Sequence, residues 1–399
     1  MTEPIQEEFI DDAKGLAELV AHLREEGQFA FDTEFVSEDT FEPILCLIQV
    51  ATRKRLAIVD PLAIRDIGPF WQAVIDPTIE VVMHAAGEDL RICRFQTGFL
   101  PARVVDVQIA AGLVGMGYPL SLGNLLGQVL HVSVTGGETR TDWRRRPLSE
   151  AQIQYALDDV RHLLRVVDTL KAGLQKLGRT EWAEAEYADF IEVIRRRDDD
   201  ERWRKLSGLH QLSRRGLEAA RLLYEWRSEE ARRSNRPMRQ VMRDDLLTAI
   251  AKRQPSSRRD LEALRDYNRP HLLAKSQEVV EVIQAAQATP AESLPEAPER
   301  FDEGPGLSMV VSLLAATLAR CCAEHKVATG LVGSAADLKE LIRWSLDGSL
   351  GLPRPVLADG WRDQVCGQTL LEVLAGRTSL RVVDPLAEVP VALEKRSEG

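Results

Sequence analysis

Short apolar runs alternate with helically spaced apolar positions over the first 175 or so residues of the chain. Residues 28–33, 44–51, 56–60, 81–83 and 103–106 have the apolar character of buried strands. The first three follow one another closely, as in a meander, and the later ones are separated by helical patterns. This predicts a mixed sheet with helices packed on it. Near residue 149 the pattern changes. Ser149 and Gln152 form a capping box, and Ile153, Ala156, Leu157, Val160, Leu163, Leu164 and Val167 then repeat at helical spacing. A further helical stretch covers 180–194, and the charge then changes sign abruptly over 195–201, which predicts an exposed junction.

Beyond that junction the pattern is helical throughout. Residues 204–287 read as one small all-α domain. Residues 288–305, with prolines at 290, 295, 298 and 305, read as a semi-extended linker. Residues 306–380 read as a second small all-α domain, opening with a strongly apolar helix over 307–323, and the tail after about residue 388 is expected to be disordered. The first domain is bounded at 8–178. The fold class expected is an α/β unit followed by two all-α units.

Composition narrows the setting. The hydrophobic fraction of 44% is ordinary for a soluble protein. No run of 18 apolar residues occurs, so no membrane span is indicated, and the polar, acidic N-terminus is unlike a signal peptide. The five cysteines show neither metal nor disulfide spacing, and a reducing cytoplasm suits them. A net charge of −11 argues against nucleic acid as a partner until its distribution is considered. Between Arg202 and Lys275 stand nineteen Lys and Arg against nine Asp and Glu, a local balance of +10. A basic module beside an acidic one can supply a phosphate footprint.

The chemistry concentrates in a few carboxylates. In Phe29-Ala-Phe-Asp-Thr-Glu-Phe35 an apolar strand ends in Asp32 and Glu34, which project from the same face. Two like charges there are costly unless a cation compensates them, and a hard divalent ion is the natural compensator. Asp89 falls in the first turn of a helix after the strand at 81–83. Tyr155 and Asp159 stand at i and i+4 on the capped helix, while Asp158 lies off that line. Asp106 fits either support for these acids or a plain strand terminus. Arg140 and the run Arg144-Arg-Arg146 lie just before the capped helix, where phosphate contact and a solvated charge run are both open.

At these residues the chain resembles the DEDD 3′–5′ exonucleases, and Tyr155-x3-Asp159 resembles the signature of the tyrosine subclass. The stretches Phe31-Asp-Thr-Glu-Phe35, Leu45-Cys-Leu-Ile-Gln49, His84-Ala-Ala-Gly-Glu-Asp-Leu90, Asp106-Val-Gln108 and Thr141-Asp-Trp143 resemble the ribonuclease D landmarks, in order, over about residues 8–175. The loop Val134-Thr-Gly-Gly-Glu138 lacks the lysine that such relatives often carry. Residues 204–287, with Trp203-Arg-Lys-Leu-Ser-Gly-Leu-His-Gln-Leu212, resemble an HRDC domain, and 306–380 a second, divergent one.

The resemblance implies a ribonuclease H-like fold and hydrolysis of RNA from the 3′ end to nucleoside 5′-monophosphates, with tRNA precursors as the leading substrates. It also implies two divalent metal ions, Mg²⁺ or Mn²⁺. By the same resemblance Asp32 bridges the ions, Glu34 and Asp159 hold the one carrying the nucleophilic water, Asp89 supports the other, and Tyr155 orients the water. Phe35 and Phe41 are candidates for lining the path of the terminal nucleotides, and core packing explains them equally well. Neither a membrane nor an obligate protein partner is indicated. A DNA exonuclease of the same superfamily and an inactive RNA-binding scaffold are the alternatives.

Overall fold

The computed structural model describes residues 5–133, 141–196, 200–296, 304–346 and 353–395. In chain order the first unit comprises β1 (Gln6–Ile10), α1 (Ala13–Glu26), β2 (Gln28–Val36), β3 (Ile44–Ala51), β4 (Arg55–Val59), α2 (Gly68–Val74), β5 (Glu80–Met83), α3 (Gly87–Thr97) and β6 (Val104–Asp106). It continues with α4 (Val107–Leu113), α5 (Leu122–Leu130), α6 (Glu150–Arg161), α7 (Leu163–Lys176) and α8 (Thr180–Arg196). The sheet order is β1-β4-β3-β2-β5-β6. The β2–β3–β4 meander is antiparallel, while β1, β5 and β6 join it in parallel. The expected mixed sheet is present. The sequence pattern missed β1, because Gln6-Glu-Glu8 offers no apolar alternation and the strand needs none at an exposed edge.

Period-two alternation along β2 assigns its side chains to two separate cores. Phe29 and Phe31 face α1, α2 and α3, where Phe31 meets Phe70 edge-on at 5.7 Å. Ala30 faces the other way, toward Leu157 and Val160 of α6. Asp32 continues the parity of Ala30 and so emerges on the α6 side. The β2–β3 register shifts between Glu34 and Phe35, a bulge at the point where the strand delivers its second acid.

The second unit is helical: α9 (Arg214–Ser234), α10 (Met238–Val241), α11 (Asp244–Arg253), α12 (Arg258–Glu262), α13 (Pro270–Ala274) and α14 (Ser276–Ala288). It closes on its own core, which includes Trp203, Leu223, Ile250 and Ile283. The linker does not hang free over its described part. Arg214 donates to the carbonyls of Leu294 and Pro295, and Arg215 to those of Ala286, Gln287 and Thr289. Residues 297–303 lie outside the described ones.

The third unit holds α15 (Leu307–His325), α16 (Thr329–Val332), α17 (Ala335–Leu346), α18 (Gly360–Arg362) and α19 (Gln368–Leu374), the last two joined through a π turn. It ends in an antiparallel hairpin, β7 (Thr378–Val382) with β8 (Val391–Lys395). This corrects the expected disorder after residue 388: Val391–Val382 and Leu393–Leu380 pair across the hairpin. Among the described residues α15 is the one helix long and apolar enough to cross a membrane by length and composition. Here its Leu314, Leu318, Cys321 and Cys322 belong to the same core as Leu157 and Val160 of the first unit.

That shared core shows that the third unit is no appendage. Arg179, 7% exposed, donates to the carbonyls of Leu113, Lys326 and His325, bridging the two units. Glu186 of α8 accepts from Trp361 Nε1 at 3.2 Å and from Arg362 at 2.8 Å, and Trp182 stacks on Trp361. A Cβ at Gly330 would lie 2.5 Å from the Tyr118 carbonyl oxygen, so the close approach there requires glycine. All five cysteines are buried free thiols.

Candidate active site

Three local devices deliver the four acids. Asp32 and Glu34 come from the end of β2. Asp89 comes from the first turn of α3, whose preceding turn is held by Asp106. The carboxylate of Asp106 caps α4 through the Gln108 amide at 2.8 Å and also accepts the amides of Ala85 and Ala86. Ala85 stands at φ +56°, left-handed for a residue with a Cβ, and those amide bonds hold it there. Asp106 is thus support for the Asp89 turn, the first of its two readings. His84, on the same turn, bonds the Leu120 carbonyl at 2.9 Å.

Tyr155 and Asp159 come from α6, whose capping box forms as expected. The apolar repeat that reads as one helix from 153 to 167 is in fact two, broken at His162 between α6 and α7. Asp158 is engaged by Arg161 at 2.8 Å, which leaves Asp159 as the candidate acid on α6. The approach to α6 is anchored by Arg146. Its guanidinium forks onto buried Asp60 at 2.5 and 2.7 Å and donates to the carbonyls of Cys46 and Trp143. Arg146 therefore serves the fold, not phosphate, and Arg144 is paired with Asp142. Arg140 and the 134–138 loop lie outside the described residues.

The Asp60–Arg146 pair yields a stability test. Burial pushes the Asp60 carboxyl up, but the Arg146 hydrogen bonds and neighbouring amides outweigh it and hold the group below its ordinary value. Arg146→Met leaves a buried carboxylate unpaired and is expected to cost about 3 kcal/mol. A depressed acid contributes its stability above its unfolded value, so the gap between parent and variant should narrow as pH falls below about 4. Urea melts at pH 7 and pH 3 check both; an equal gap at the two pH values excludes the pair as the source.

The acids act on one another. Burial raises the Asp32 carboxyl well above its ordinary value, and Asp89, Asp159 and Glu34 add to the rise. Glu34 is pushed up to about 8 by burial and then by Asp159 and Asp89. Burial also lifts Asp89 to about 6 and Asp159 to about 7. Asp89 accepts from Thr33 Oγ1 at 2.5 Å and Asp32 accepts the Thr33 amide at 2.9 Å, so one threonine holds both carboxyls close together. Two carboxyls in such contact share a proton unless a cation replaces it. The Tyr155 phenol is raised by burial and by Asp159, Glu34 and Asp32, so it stays protonated among them.

Among the described residues no three His, Cys, Asp or Glu side chains are grouped so as to hold an ion as they stand. The fit is one of donor chemistry: four carboxylates, all hard oxygen donors, mutually repelling in a half-buried site. Two further residues belong to the neighbourhood. Thr33 was not singled out in the sequence. Gln49, fully buried, pairs across the sheet with Asp32, and neither end of its amide finds a partner. A lone amide in the apolar run Ile44–Ala51, in register with an acid, was the available signal.

Phe35 lines a cleft of about 480 Å³ together with Glu34, Trp143 and Arg144, beside the acids. Phe41 does not line that cleft. It sits under Arg232 of α9 at 5.6 Å, and the amides of Phe41 and Glu42 both donate to Asn235 Oδ1.

Residues 8–175 match the family model described as a 3′–5′ exonuclease, and residues 216–283 match the HRDC domain. The fold and the cluster of acids thus define a 3′–5′ exonuclease carrying an HRDC domain. The chain is 36% identical to ribonuclease D of Gluconacetobacter diazotrophicus over 94% of both chains, and 34% identical to that of Pseudomonas paraeruginosa over 92% of this chain and 97% of that one. The crystal structure of Escherichia coli RNase D superposes with a TM-score of 0.80 at 28% identity, covering 93% of this chain and 99% of that one. The chain belongs to the ribonuclease D family. It is a 3′–5′ exoribonuclease, its substrate is RNA, and its chemistry depends on a divalent metal.

Proposed function

We propose that this exoribonuclease trims the 3′ ends of tRNA precursors in the cytoplasm, releasing nucleoside 5′-monophosphates with the help of two divalent ions. The observation that carries the reading is the convergence of Asp32 and Glu34 from the end of β2, Asp89 from α3 and Asp159 from α6 beside the Tyr155 phenol, with electrostatic repulsion among the acids in keeping with it. Those four carboxylates would hold the ions, Mg²⁺ or Mn²⁺. When bound, such ions lower the pKa of a bound water and stabilise the attacking and leaving oxygens of a phosphodiester.

The chain's own residues do the positioning. Thr33 ties Asp89 to β2, and Asp106 holds the turn that presents it. Trp143 packs against the Tyr155 ring at 6.1 Å, and the protonated phenol can orient the attacking water by hydrogen bonding. Phe35, in the cleft beside Glu34, would line the path of the terminal bases. Phe41 and Arg140 are offered as further contacts to the strand. The bounds of the units are proposed as 8–178, 204–287 and 306–380, with the third unit a divergent HRDC-like domain.

A tRNA precursor with a short 3′ extension should be shortened stepwise to its mature end in Mg²⁺ or Mn²⁺, and not at all in chelator. Tyr155→Phe should slow the single-turnover rate on the order of tens-fold, since misplacing a reacting group by about 1 Å costs up to 10²-fold. Degradation running through the acceptor stem, or metal-independent trimming, overturns the assignment; an unchanged single-turnover rate reduces Tyr155 to packing.

A further inference from the structure

Between the exonuclease unit and the first helical unit lies a cavity of about 370 Å³. Five cationic side chains line it, Arg91, Arg202, Lys205, Arg227 and Arg239, against the single acid Asp244. The lining comes from both units: Arg91 from α3, the helix that carries Asp89, and the other four from the basic helical unit. Low-dielectric walls around charges of one sign focus the field into the space between them.

The cavity is built, not merely charged. Arg227 is 2% exposed. It is fixed by the Met242 carbonyl at 2.8 Å and Asp244 at 2.6 Å, with its guanidinium 5.1 Å from the Tyr224 ring. Asp244 is shared with Arg239 at 3.4 Å, so one carboxylate serves two guanidiniums. Buried Nε atoms of both Arg91 and Arg227 have no acceptor in the protein. Arg91 pairs through its Nη1 with Glu88, one turn back on α3, and Arg227 with Asp244, so each guanidinium keeps its Nε donor for a further acceptor. The volume, equal to about a dozen waters at ~30 Å³ each, has room for a phosphodiester with part of its sugars.

We propose that this cavity is a phosphate subsite for the RNA backbone, holding a phosphodiester a few nucleotides upstream of the terminal one. The proposal rests on the reading of the acidic site as the point where the 3′ end is cut. Arg91 follows Asp89 by two residues, which places it about 3 Å further along α3 and around a helix ~10 Å wide. A strand stacked at about 3.4 Å per nucleotide spans such a distance in roughly three steps. The subsite would give the helical unit a defined grip on the single-stranded end, in addition to any contact with the RNA body.

The test is the double variant Lys205→Gln, Arg239→Gln, both exposed side chains whose loss leaves the Arg227 anchor intact. Oligoadenylates of two and ten nucleotides serve as probes. The KM for the decamer should rise about tenfold with kcat within about twofold, whereas the KM for the dimer, too short to reach the cavity, should move by less than about twofold. In chelator, the slope of log K for the decamer against log salt should become shallower by roughly one, each single-strand phosphate contact being worth about 0.7. An equal rise for dimer and decamer, or no change in the decamer, overturns the subsite. Lost inhibition by AMP or inorganic phosphate with an unchanged decamer would make it a site for free phosphate, and also overturns it. Parent protein that binds the decamer with the stated dependence on Lys205 and Arg239 but never cleaves it keeps the subsite and removes the trimming reading.

Discussion

Asp32→Asn and Asp159→Asn each reduce metal-dependent RNA cleavage by on the order of 10³-fold or more. An amide cannot replace the anionic oxygen that a divalent ion needs, and several kcal/mol of charge stabilisation go with it. About 4 kcal/mol of transition-state stabilisation is a factor of ~10³ in rate. The fold should survive. The four acids repel one another within a buried site, so removing one negative charge relieves strain in the metal-free protein. Its melting temperature in chelator should hold or rise. Activity within about tenfold of the parent, with circular dichroism unchanged, would remove either residue from the site.

Arg179→Ala destabilises the whole assembly of first and third units by about 4 kcal/mol. The side chain satisfies carbonyls of Leu113, His325 and Lys326 at once, and each buried acceptor left bare costs about 1–3 kcal/mol. Hydrogen exchange should speed up on both sides of the junction, around α4 and around α15 and α16, because the shared core opens as a unit. Faster exchange in α15 alone would show that the third unit detaches independently, contrary to the continuous core.

The legible parts of this protein are those whose physics is local. Strands β2 to β6 declare themselves as apolar runs, and the capping box at Ser149 marks the start of α6. Asp32, Glu34, Asp89 and Asp159 can be picked out because i, i+2 and i, i+4 spacings have fixed directions on strand and helix. Their mutual effect could not be read, since it depends on three elements meeting. The same holds for Asp60 and Arg146, 86 residues apart, whose pairing turned an apparent phosphate contact into a fold anchor. The break at His162 is invisible in the pattern because apolar spacing continues across it. The β7–β8 hairpin was obscured by the prolines and acids between its strands. The shared core of the first and third units also bears on dissection. A cut near residue 180 would remove α8 and the packing supplied by α15, so charge substitutions on the intact chain are the sound way to test the basic unit.

That shared core also sets a schedule for synthesis. The acids and Tyr155 lie within residues 32–159, but the partners that pack on α4 and α8 come only with His325, Lys326, Leu331, Trp361 and Arg362. At about 5–20 residues per second the gap is on the order of ten seconds or more. During that interval the outer faces of α4 and α8 lack the residues that cover them in the folded chain. A nuclease that could cut RNA while still attached to its own message would emerge beside a ready substrate. Here the catalytic half reaches its final packing only once residues 325–362 have been made.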